Sequence, residues 1–256
     1  MRVAKHPFEN RDIEAAVFGK TFGNQTADEN DDFVQPRARC RTCNSELSFV
    51  AAKTRRIAHF RHRNDVFCPT KYPAGQPYVN LIPHAPDDVA GAALRQEFRR
   101  RWKWHYDAIQ RHLVPFLSTK EFLALLGIAN EHRSWDYVGL TQEMIPYCLV
   151  LMADFPPGTG YVPKGREGRK LWFRFWYEHR MTDLRDLWIV DGDPVLHRAS
   201  FQPPATKRGR PAYEDLIADR ALHPLPANFL EADAPAVPTF VVEQVDRWFT
   251  NHPEFE

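Results

Sequence analysis

Cys40 and Cys43 stand two residues apart, His59-Phe60-Arg61-His62 begins sixteen residues after Cys43, and Cys68 closes the run. No other feature of the 256-residue chain narrows its folding options as much. A Cys-x2-Cys step wraps a tight turn that brings two thiolates to one side of a tetrahedral ion, so two more ligands must come from beyond it. The candidates are His59, His62 and Cys68. Side chains alternate along a strand, so His59 and His62 point to opposite faces and only one reaches the ion. His62 lies nearer Cys68 in the chain. The expected set is therefore Cys40, Cys43, His62 and Cys68, with His59 as the alternative to His62. Four protein ligands leave no open position, which predicts a structural Zn2+ rather than a catalytic one. The fourth cysteine, Cys148, sits in the apolar run Tyr147–Ala153 and reads as a core thiol. Four cysteines are too few for a disulfide framework in a chain of this size.

The surrounding pattern predicts an α+β chain: a small zinc-ribbon-like β module, then a mainly helical domain with a few strands. Residues 1–36 read as an irregular acidic lead-in, with Asp28, Glu29, Asp31 and Asp32 clustered in one loop. Leu47–Ala52 and Arg56–His62 read as the two strands of a hairpin within a module spanning 37–70. Residues 71–87 hold four prolines and read as a linker to a domain over 88–200. There, a helix is expected from about Asp88 to Leu113, with Leu94, Phe98, Trp102, Ile109 and Leu113 on its buried face and Pro115 ending it. Ser118-Thr119-Lys120-Glu121 has the form of a capping box opening a second helix. A third helix spans Thr141–Met152, weakened by Pro146. Lys170–His179 is aromatic-rich and reads as a strand or a buried helix. Leu187–Phe201 reads as a hairpin turning at Asp191–Pro194. Residues 201–238, with seven prolines, are expected to run extended, and a helix over Val242–Asn251 closes a C-terminal segment spanning 201–256.

The run Cys40-x2-Cys43, Leu47, Lys53-Thr54-Arg55-Arg56, His59-Phe60-Arg61-His62 and Cys68 resembles the N-terminal zinc module of the competence protein CoiA-like family. The likeness covers roughly 37–70. It implies a bacterial or phage-related protein tied to DNA processing, mobile elements or phage defence. That family carries a nuclease-like domain with an acidic residue followed by Glu-x-Gln or Glu-x-Lys. Here Glu243-Gln244 has no suitably placed partner, and Glu167 and Lys170 stand at the wrong spacing, so nuclease chemistry is not carried over and no catalytic residue is expected. The chain also lacks Gly-x-Ser-x-Gly, P-loop and dinucleotide-binding patterns.

With 34 Lys plus Arg against 33 Asp plus Glu, the chain is not a polycation. The charge is local instead. Between Arg37 and Arg63 eight basic residues face the single Glu46, so Arg55, Arg56, Arg61 and Arg63 are candidate phosphate contacts. The same charge could pair with the acidic loop at 28–32. Arg95–His112 interleaves Trp104 and Tyr106 with cations, which fits either base stacking or a solvated helix face, the second being favoured. Lys207-Arg208-Gly209-Arg210-Pro211 resembles an AT-hook, making Arg208 and Arg210 further candidates, unless Pro211 opens a helix. The expected function is a non-catalytic nucleic-acid-binding or adaptor protein, its partner DNA ahead of RNA or a larger protein; the alternatives are a protein-binding subunit whose zinc ribbon docks onto a larger partner, and a diverged CoiA-like nuclease. With no apolar run longer than seven residues, no membrane partner and a cytoplasmic location are expected.

Overall fold

A computed structural model describes residues 1–23, 36–52, 57–63, 68, 70, 78, 81–158, 167–177, 195–204 and 209–256. The chain is α+β and divides into two units, Met1–Gly75 with Ala212–Glu214, and Gln76–Pro211 with Asp215–Glu256.

The N-terminal unit begins with structure where an irregular lead-in was expected. β1 (Val3–Lys5) pairs antiparallel with β2 (Asp12–Glu14), and α1 (Ala15–Phe22) follows. Each strand buries one side chain, Ala4 or Ile13, so the period-two alternation that marks a strand never repeats. The acidic loop at 28–32 lies outside the described residues. β3 (Leu47–Val50) and β4 (His59–His62) form the expected hairpin, in the register Leu47↔His62 to Val50↔His59. Phe18 of α1 packs on Phe49 and Phe60 with ring centroids 5.4 and 5.2 Å apart. Tyr213 Oη donates to Val3 O at 2.9 Å.

In the C-terminal unit, α2 (Asp88–Ala108) starts at Asp87, whose carboxylate accepts from Ala90 N at 2.9 Å, and runs into a π-helical turn at Ile109–Leu113. Phe98, Trp102, Ile109 and Leu113 are buried as the periodicity predicts, and Leu94 is half-buried. The capping box is present: Glu121 N–H donates to Ser118 Oγ at 3.2 Å and Ser118 N–H to Glu121 Oε2 at 2.8 Å, opening α3 (Thr119–Glu131). Pro146 does not interrupt α4 (Ile145–Leu151), because it occupies the first turn, where a missing N–H costs nothing. Gly91 lets α2 approach Asp136 closely; a Cβ there would lie 2.2 Å from Asp136 Oδ1, which already accepts from Arg95 at 2.9 Å.

Lys170–His179 resolves as a strand, β5 (Trp172–Tyr177). It pairs with β6 (Leu196–Phe201), and β6 with β7 (Leu216–Ala221), in the order β5-β6-β7. Both edges of β6 are thereby taken; the first strand and turn of the hairpin expected over Leu187–Phe201, residues 187–194, lie outside the described residues. β7 also corrects the extended reading of 201–238, since its prolines flank the strand rather than interrupt it. α5 (Thr239–Thr250) buries Val241, Val245 and Phe249. Among the described residues no helix is long and apolar enough to cross a membrane.

His105 of α2 is fully buried, its Nε2 2.9 Å from Gln142 Oε1. Burial drives its pKa down to about 3 against the partial support of Gln142. The folded ring stays neutral while the unfolded one titrates near its ordinary value of about 6.5. Its stabilising contribution is thus complete above about pH 6.5 and is lost as pH falls toward about 3. Unfolding free energies from denaturant titrations should fall across that window by up to about 1.4 kcal/mol per pH unit, and His105→Leu should flatten the slope.

Candidate metal centre

Backbone geometry builds the Cys-x2-Cys turn. Asn44 N–H donates to Cys40 O at 3.1 Å and Cys40 N–H to Ser45 O at 2.9 Å, while Asn44 takes φ 56°, a left-handed conformation that asparagine tolerates. The hairpin then presents His62 from β4, directly across from Leu47. Cys40 Sγ lies 3.8 Å from Cys68 Sγ, and Cys43 Sγ 3.3 Å from His62 Nε2. All four ligand atoms fall within 4.8 Å of one another. Cys40 and Cys68 are fully buried, His62 is buried, and Cys43 is half-buried.

The two histidines separate as strand alternation requires. His62 enters the cluster, whereas His59 turns its Nδ1 to Ile57 O at 2.9 Å and stays outside it. Ile57, two residues before it, is 65% exposed.

Three thiols this close cannot ionise independently. Hydrogen bonds with Cys40 and Cys68 hold the Cys43 thiol far below its ordinary range, and hydrogen bonds with Cys40 and Cys43, with burial, push Cys68 far above it. Burial opposes charge on His62, but Cys40 and Cys43 outweigh it and raise the ring to about 9. A cation among these groups would take the place of the shared protons and let all three sulfurs carry charge. What the arrangement can do chemically is hold a soft or borderline metal with three sulfur donors and one nitrogen.

Sequence reasoning missed a second layer. Thr42 N–H donates to Cys40 Sγ at 3.4 Å, Thr70 Oγ1 lies 3.0 Å from Cys68 Sγ, and Ser45 hydrogen-bonds Cys43 and lowers its pKa. A signal was available for two of the three: Cys43-Asn44-Ser45 and Cys68-Pro69-Thr70 each set a hydroxyl two residues after a cysteine, whereas Thr42 acts through its backbone N–H. Such outer partners orient ligands and tune metal affinity. In a chelator competition with the Co2+-loaded protein, Thr70→Val should weaken metal binding about tenfold and shift the sulfur-to-cobalt absorption, and Thr70→Ser should restore both.

The remaining candidates do not converge. Arg61 is exposed on β4 and Arg63 just beyond it, while Arg55, Arg56 and Arg208 lie outside the described residues. Arg210 is exposed, but Pro211 is buried and opens no α-helix. Tyr106 is buried with its hydroxyl donating to Leu117 O at 3.0 Å, and Trp104 Nε1 donates to Ala232 O at 2.8 Å, so both rings serve the C-terminal unit's own packing. Glu167 pairs with Lys170 at 2.6 Å on the surface, and Glu243 is exposed on α5. Comparison with known proteins finds no matching family model, no matching curated protein and no matching solved structure.

Proposed function

We propose that Cys40, Cys43, His62 and Cys68 hold one structural Zn2+, and that the chain is a zinc-stabilised, non-catalytic nucleic-acid-binding protein of the CoiA-like type. Its setting would be accessory to a bacterial DNA-processing, mobile-element or phage-defence system. The observation that carries the reading is the closed cluster of three thiols and one imidazole. With metal–sulfur bonds of about 2.3 Å, a tetrahedral ion sets its sulfurs about 3.8 Å apart, and the Cys40–Cys68 separation is 3.8 Å. Four protein ligands fill the tetrahedron, which favours a folding role over Lewis-acid chemistry. The basic sequence around the hairpin supplies the phosphate-binding part of the reading.

A protein-binding subunit is the second reading. It is favoured by Arg37–Glu46 and Arg41–Asp12, ion pairs at 3.2 and 3.3 Å that neutralise part of the basic charge within the unit. Salt separates the two, because phosphate binding weakens steeply with ionic strength and an apolar interface does not. Charge reversal at Arg55 and Arg56 should weaken DNA binding at least about tenfold. Unchanged binding of both DNA and RNA would contradict the nucleic-acid reading.

A further inference from the structure

The β3–β4 hairpin is not an isolated ribbon. Arg39 forms antiparallel bridges with Lys5 on one side and Glu46 on the other, so β2, β1, the Arg39 segment, β3 and β4 lie edge to edge. The registers sort their side chains onto two faces. Ala4, Ile13, Ala38, Cys40, Leu47 and Phe60 point inward and are buried, and His62 points with them toward the metal cluster. The other face carries Lys5, Arg39 and Arg61 with Asp12, Glu14 and Glu46, beside Val3, Ser48, Val50 and His59.

Charge on this outer face is unevenly satisfied. Asp12 is held by Arg41 and Glu46 by Arg37. The register sets Asp12, Lys5, Arg39 and Glu46 side by side across four strands, so each cation stands opposite one acid and one like charge, and the Lys5–Arg39 neighbours repel. Among the described residues no carboxylate lies within ion-pair distance of Lys5, Arg39 or Arg61. Arg39 and Arg61 are exposed and Lys5 is half-buried. Among the described residues Asp12 and Glu46 are thus neutralised from the flanks, which leaves Lys5 and Arg39 on inner strands and Arg61 on the edge strand β4 without an ion-pair partner. A polyanion would relieve the Lys5–Arg39 repulsion.

We propose that this face binds the sugar-phosphate backbone of duplex DNA, with Lys5 and Arg39 acting beside Arg61. The inference rests on the nucleic-acid reading above and goes further by fixing the surface and the form of the partner. The form follows from what the face lacks. Sheet surfaces that take single strands stack bases on aromatic side chains. Here the described outward strand residues include no Phe, Tyr or Trp, and the one ring, His59, is tied to Ile57 O at 2.9 Å; Phe49 and Phe60 belong to the inner face, with ring centroids 6.1 Å apart. Cations without stacking partners contact phosphates and read no bases. Arg39 is level with Glu46 and Arg61 with Ser48, so the two lie two strands and two residues apart; at about 4.8 Å per strand and about 3.4 Å per residue they sit about 12 Å apart, the width of a major groove.

The test is fluorescence anisotropy of the zinc-loaded full-length protein against a short duplex DNA and the matching single strand, over a salt series. Wild type should prefer the duplex. Lys5→Gln/Arg39→Gln should weaken duplex binding at least about tenfold and reduce the salt slope by about two, with zinc content unchanged. Lys5→Glu/Arg39→Glu should weaken it further. Duplex binding unmoved by either double variant, or a preference for the single strand, would overturn the proposal while leaving the nucleic-acid reading in place. Binding of neither nucleic acid by the wild type would overturn both.

Discussion

Stripping the metal from the loaded protein should unfold the N-terminal unit and leave the C-terminal unit folded. The N-terminal core is small: Ala4, Ile13, Ala15, Phe18, Ala38, Cys40, Leu47, Ala58, Phe60 and Cys68. Four of these are alanines and two are the candidate ligands Cys40 and Cys68, so little apolar area remains to offset chain entropy. Its strands are three or four residues long, and hairpins of that size are marginal alone. Structural zinc contributes about 10–16 kcal/mol to folding in small modules, more than such a core supplies. The sequence provides a convenient contrast, because all seven tryptophans lie beyond residue 75. Chelator with reductant should abolish hydrogen-exchange protection in β1–β4 while tryptophan fluorescence stays unchanged. Retained protection in metal-free protein would contradict a folding role for the ion.

The second large effect lies in the C-terminal unit. Arg174 of β5 is 1% exposed and grips Asp154 with both ends of its guanidinium, Nε reaching Oδ1 at 2.6 Å, while the Phe201 ring lies 5.6 Å from its centre. Arg174→Met removes one member and leaves a carboxylate with little access to water. Breaking a buried pair this way costs about 3–5 kcal/mol. Replacing both members is far cheaper, since neither charge is then stranded, so Asp154→Leu/Arg174→Met should recover most of the loss. Denaturant midpoints of the two variants decide this. A loss below about 1 kcal/mol for Arg174→Met would show that water already screens the pair.

The metal cluster was legible because its chemistry constrains sequence directly: Cys-x2-Cys needs one kind of turn, and strand alternation separates His62 from His59. The α2 stripe and the Ser118 cap were legible for the same reason, each being a local rule that packing did not override. Where the reading failed, the information was not local. β1 and β2 are too short to repeat a period, and they exist because Arg39 links them to β3 through backbone pairing that no window of sequence contains. β7 was hidden by prolines around it, and the identity of β6's neighbours depends on a long-range choice among candidate strands. The juxtaposition of Lys5 and Arg39 escaped notice with β1, because the two are thirty-four positions apart in the chain.

Zinc content of freshly reduced protein, measured by mass spectrometry on wild type and on Cys40→Ser, His59→Ala and His62→Ala, tests the closed metal centre most directly. One zinc per chain is expected in wild type and in His59→Ala, with loss in Cys40→Ser and His62→Ala. A metal-free wild type, or zinc lost with His59 and kept with His62, would contradict the centre described above.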